Sequence, residues 1–177
     1  MAEAREAPAP SASSVFVETT PPTPSPTSVA HEQAVTVDEI LALSEPSRGA
    51  LRRGIGQVLA CTEAEQGIRT IRQVTHERKE QLERAEGLAL DALDGGDELK
   101  STLMNALSAS HRADKSYLKW AKRFEAGGCQ GATVGDPLYD AGNAASATAS
   151  RAKAEFVALW NSIARREGLP TRSSDEI

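Results

Sequence analysis

The chain predicts an all-α protein: an antiparallel helical bundle of three longer amphipathic helices plus one short N-terminal helix, preceded by a disordered tail. Three observations carry that prediction. Between Asp97 and Ala126 the residues Leu99, Leu103, Ala106, Ala113, Tyr117, Trp120 and Phe124 recur at steps of three and four, with Ser110 interrupting, which lays one apolar stripe along a helix. Segments before and after it repeat the same period, so partner helices are available to cover the stripe. From residue 48 onward Ala, Leu, Glu and Arg dominate and β-branched residues are thin, the mixture helices favour.

A length of 177 residues with 40% hydrophobic content suits one domain and a tail. The expected division is a disordered Pro/Ser/Thr-rich leader over residues 1–35, a helical domain over 36–169 and a flexible tail over 170–177. The net charge of −5 is uneven: residues 1–47 hold one Arg and seven acids, 48–94 hold eight of each sign, and 95–177 hold eleven bases and ten acids. The near-neutral helical part lacks the broad basic footprint of a nucleic-acid-binding domain. Two cysteines, Cys61 and Cys129, fit no metal spacing and are too few for a disulfide scaffold, so a reducing compartment is expected. The chain has no run of eighteen apolar residues and no basic segment leading into an apolar one at its start, which argues against a membrane span and a general secretory signal. The expected location is therefore cytoplasmic.

In order, six prolines between Pro8 and Pro26 lie among Ser, Thr and Ala and disfavour a packed core there. This Ser/Thr/Pro-rich composition resembles the leaders of type III secretion substrates, and that resemblance implies export by a specialised secretion system as the alternative location. Thr36 and Glu39 form an S/T-x-x-E capping box that opens a short helix through Ile40, Leu41 and Leu43, and Pro46 ends it. The run Leu43-Ser44-Glu45-Pro46-Ser47-Arg48, with Leu51, resembles the entry into the helix-turn-helix of ArsR-type winged-helix repressors. Thr36 to Leu51 is also similar in spacing to the helix-turn-helix of excisionase and MerR-type proteins, although Glu45-Pro46 stands where the excisionase type has a glycine turn. The resemblance implies a DNA contact through Arg48, Arg52 and Arg53.

Residues 48–94 read as one long helix, since no proline interrupts them and Leu51, Ile55, Val58, Cys61, Ala64, Ile68 and Ile71 keep helical spacing before Leu82, Ala85, Ala89 and Leu93 resume it. Between the two runs Val74 is the lone apolar residue, and Thr75 and Arg78 fall on the stripe. Gly49, Gly54 and Gly56 weaken its start. Asp94-Gly95-Gly96-Asp97 stops this helix and restarts the chain, with Asp97 as cap. Residues 127–143 form a long Gly-rich loop. Asn143 or Ser146 caps a last helix carrying Ala145, Ala149, Ala152, Phe156, Leu159 and Ile163, which Gly168 and Pro170 end.

The sequence offers little chemistry. His76-Glu77 lacks the second histidine of HExxH, no helical Glu-x-x-His pair occurs, and the loop glycines match no phosphate-binding motif. Cys129 has no base placed near it. No cofactor or metal is expected, and no catalytic residue is assigned. Two surfaces remain as interaction candidates. One is the basic, aromatic-flanked stretch Arg112, Lys115, Lys119, Lys122 and Arg123, suited to an anionic partner. The other is the ridge of Leu51, Ile55, Val58 and Leu59, left uncovered if 48–94 outruns 97–126, which predicts a homo-oligomer. The expected function is a non-enzymatic helical interaction or scaffold protein working through protein–protein contacts. The alternatives are a DNA-binding regulator using residues 36–55 and a secreted effector or secretion-apparatus component; nucleic acid is the less favoured partner.

Overall fold

A computed structural model describes residues 26–131 and 133–177. All regular elements among them are helical: α1 (Pro26–Ala42), α2 (Glu45–Leu59), α3 (Ala64–Glu86), α4 (Gly96–Ala126), α5 (Pro137–Glu167) and a single 3-10 turn, Ser174–Glu176. The first 25 residues, most of the expected leader, lie outside the described residues.

Helix α1 begins at Pro26, where a missing N–H costs nothing, and not at Thr36. The Thr36 hydroxyl donates back to the Glu32 carbonyl at 2.9 Å inside the helix, so the expected capping box does not form. Ala34, Val37 and Leu41, one stripe at steps of three and four, are fully buried.

The single helix expected over 48–94 is two helices and an irregular segment. The chain reverses at residues 60–63, where Cys61 takes a left-handed φ of 59°, and α2 folds back on α3. Gly54 and Gly67 make that contact possible: a Cβ on Gly67 would lie 2.5 Å from the Gly54 carbonyl oxygen. Gly54 therefore serves close backbone approach, which its small size permits, where composition alone suggested a weakness. After Glu86 the chain is irregular, yet it buries Leu88, Leu90 and Leu93. Gly95, at φ 75°, precedes α4, so the cap falls two residues before Asp97, which with Glu98 sits in the first turn instead.

Helix α5 starts at Pro137, earlier than Asn143 or Ser146. Asp136 caps it, accepting from the Leu138 and Tyr139 amides at 2.9 and 3.2 Å. Residues 170–177 are not a free tail: Arg172 pairs with Asp38 of α1 at 2.7 Å, exchanges hydrogen bonds with Asn161, and Ile177 is 1% exposed.

Helix α4 packs along both α3 and α5. Two apolar clusters result. The first joins α1, the C-terminal end of α3, the N-terminal half of α4 and the C-terminal half of α5 with Ile177. The second joins α2, the N-terminal part of α3, the C-terminal half of α4 and the start of α5. Along α3, α4 and α5 the buried polar residues cluster near the junction of the two.

Candidate functional site

The junction holds Arg78 on α3, Asp114 and Ser110 on α4, and Lys153 on α5, all at most 7% exposed. Each was placed by its helix period. Arg78 falls on the α3 stripe after Val74, Ser110 is the gap in the α4 stripe, and Lys153 stands four residues after Ala149 and three before Phe156. The Arg78 Nε lies 3.6 Å from the Asp114 Oδ2, an ion pair too long for a hydrogen bond. Its Nη1 instead donates to the Gln81 side-chain oxygen at 3.0 Å, while the Gln81 amide donates to the Ile40 carbonyl at 2.7 Å and to the Ser44 hydroxyl, tying the α1–α2 elbow to α3. Lys153 donates to the Ile177 carbonyl oxygen, and Arg48 pairs with Asp175, so the C-terminal segment is fastened to the same layer.

A cavity of about 60 Å³ opens here, lined by Arg48, Arg78, Ser110, Asp114, Ser146 and Lys153 among others. Burial pushes the Asp114 carboxyl up to about 6 against the opposing pull of Arg78 and Lys153. Burial and the neighbouring Arg78 and Arg48 bring the Lys153 ammonium down to about 8, against Asp114 and Asp175. Two groups titrating near neutrality mark many active sites. Here the space matches a few water molecules, and the Arg78 Nε, Ser110 Oγ and Asp114 Oδ2 atoms, buried beside it without a hydrogen-bond partner among the described residues, are the groups such waters would satisfy. The arrangement joins helices.

The interaction candidates separate. Val58 is fully buried, Leu51 and Ile55 pack on the second cluster, and Leu59 alone of that ridge is well exposed, at 46%. The overhang that motivated self-association depended on an unbroken helix and is covered by the chain's own α3. Arg123 pairs with Asp136. Arg112, Lys115, Lys119 and Lys122 are exposed on the side of α4 opposite its buried stripe, and none makes an ion pair among the described residues. Arg112 donates to the Ser108 hydroxyl on the same helix at 2.8 Å. The flanking aromatics belong to the core: Trp120 is fully buried, stacked on Phe124 at 5.5 Å and edge-on to Tyr139 at 4.9 Å.

The cysteines are also corrected. Cys61 and Cys129 form a disulfide across a Cα separation of 5.9 Å, so Cys129 offers no thiol for nucleophilic chemistry. Of the arginines tied to the helix-turn-helix resemblance, Arg52 and Arg53 are exposed and Arg48 is engaged with Asp175. No described helix is long and apolar enough to cross a membrane. Sequence reasoning missed Asp114 and Lys153 as buried charges; the Ser110 gap and the on-stripe Arg78 were the available signals, and they mark the same layer. Compared with protein-family models, with curated proteins and with solved structures, the chain matches none.

Proposed function

We propose that this is a non-enzymatic interaction protein, an antiparallel helical bundle whose α4 presents a cationic face to an acidic segment of a partner protein. The observation that carries the reading is the set of Arg112, Lys115, Lys119 and Lys122, four exposed cations free of ion pairs among the described residues. They span eleven residues of one helix, a rise of about 15 Å from first to last. No acid falls on α4 between Glu98 and Glu125 except the buried Asp114. A long polyanion such as duplex DNA would meet the negative remainder of a chain of net charge −5, whereas a short acidic segment meets the face alone. The disulfide supports an oxidising compartment, and so the exported alternative over the cytoplasmic one.

The test is cross-linking capture from the native source with the wild type and with Arg112, Lys115, Lys119 and Lys122 all changed to Glu. A partner captured by the wild type and lost by the variant, with unchanged circular dichroism, is expected. Identical capture by both refutes the face. Retention of the wild type on duplex DNA at about 0.1 M salt moves the assignment to nucleic acid.

A further inference from the structure

On a different surface, between α1 and the C-terminal half of α3, a groove runs past the α1–α2 elbow. It consists of two depressions of about 680 and 300 Å³ that share Leu43 and Arg84 as lining residues. Its floor is apolar, with Ile40, Leu88 and Leu43, the last 44% exposed despite its size. A leucine exposed in a concave surface is unlike one scattered on a convex face, because a partner can desolvate it completely. From Val29 the groove follows the last fourteen residues of α1, about 21 Å or four helical turns, and reaches Leu43 in the elbow just beyond it.

The walls are mainly acidic. Glu32, Glu39 and Glu83 line the larger depression and Glu77 and Glu80 the smaller, against Arg84 as the cation in either lining. Lys79 neutralises Glu83 at 2.9 Å, and His76 lies 3.4 Å from Glu80. Glu32, Glu39 and Glu77 make no ion pair among the described residues. An apolar floor between carboxylates matches a helix carrying apolar residues at i, i+3, i+4 and i+7 and lysines or arginines beside them. The chain's own N-terminal 25 residues have the wrong sign, with Glu3, Glu6 and Glu18 against Arg5. A second copy is also a poor occupant, since the apolar side of its cationic helix α4 is buried within the fold.

We propose that this groove docks a cationic amphipathic helix of a second protein. With α4 facing an acidic partner, the chain then bridges two proteins of opposite charge. The test uses the full chain and calorimetric titration with three 14-residue peptides of one leucine pattern whose polar positions are all Lys, all Gln or all Glu. The Lys peptide is expected to bind, at least tenfold more tightly than the Gln peptide, with affinity falling as salt rises. The variant Glu32→Gln/Glu39→Gln/Glu80→Gln should weaken it at least tenfold, and Leu43→Ser should weaken Lys and Gln peptides alike. Glu63→Gln/Glu65→Gln/Glu125→Gln, which neutralises as many acids away from the groove, should bind as the wild type does. Equal weakening by both triple variants, equal affinity for Lys and Gln peptides, or no binding of the Lys peptide overturns the proposal. None of these outcomes touches the α4 residues on which the acidic-partner reading stands.

Discussion

Removing the disulfide by Cys61→Ser/Cys129→Ser probes the least local contact in the fold. The bond ties the α2–α3 turn to the segment after α4 across 68 residues of sequence. Closing a loop of that size removes denatured-state entropy worth about 4 kcal/mol in the chain-entropy account. Both cysteines hold a left-handed φ of 59°, a cost that serine or a free thiol keeps and that therefore cancels from the comparison. The expected loss is about 2–4 kcal/mol, large against a total stability of about 5–15 kcal/mol. Urea unfolding followed by circular dichroism on oxidised wild type, reduced wild type and the double variant measures it. The reduced protein and the variant should coincide, with a lower midpoint and a steeper denaturant dependence, because the uncrosslinked denatured chain exposes more surface. Superimposable oxidised and reduced transitions would refute the reasoning.

Two further predictions concern packing and charge. Asp114 titrates near 6 when folded and near 3.8 as a free carboxyl, so the folded state holds the extra proton between those values and stability falls as pH rises through that window. The fall amounts to about 3 kcal/mol, and the difference between wild-type and Asp114→Asn urea midpoints should change across pH 4 to 6.5 and be flat above; a constant difference would place Asp114 in solvent. Gly67→Ala forces a Cβ to 2.5 Å from the Gly54 carbonyl oxygen and should cost about 1–3 kcal/mol, while Gly56→Ala, with open space around it, should gain about 1 kcal/mol; thermal melts of the pair check the sign.

What the sequence made legible was whatever one helix period could carry. The α4 stripe placed that helix to within one residue of its ends, because glycines bound it on both sides and its seven apolar positions are all at least half buried. The reversal at 60–63 was illegible for a definite reason: Val58, Ala64, Ile68 and Ile71 stay in helical register through the turn, so the stripe on α2 and the stripe on α3 read as one. The turn has no glycine or proline, and what holds it is Cys129, remote in sequence. The α5 start was missed because Asn143 and Ser146 are plausible caps by type, whereas Pro137 after Asp136 is the better pair. Of the buried layer, the interruptions at Arg78 and Ser110 were visible singly; only the fold sets them in one place.

That layer also explains why polar residues sit where leucines would fit. A buried ion pair costs desolvation that its attraction barely returns, and apolar replacements of equal volume are often neutral or stabilising. Strength is thus a poor reason for Arg78 and Asp114. Register is a better one. The α4 stripe is nearly periodic, so sliding α4 one turn along α3 and α5 would keep leucines and alanines in contact with apolar neighbours and lose little. The same slide, about 5.4 Å, would carry Asp114 from Arg78 into an apolar cluster and leave both charges unpaired. We expect Arg78→Met/Asp114→Leu to unfold at a urea midpoint equal to or above that of the wild type, but to show doubled or broadened amide resonances along α4 by NMR. Arg78→Met alone, stranding the Asp114 carboxylate, should instead lose about 3–5 kcal/mol. A double variant with one sharp set of resonances would mean that shape alone sets the register, and that the charged layer serves another purpose.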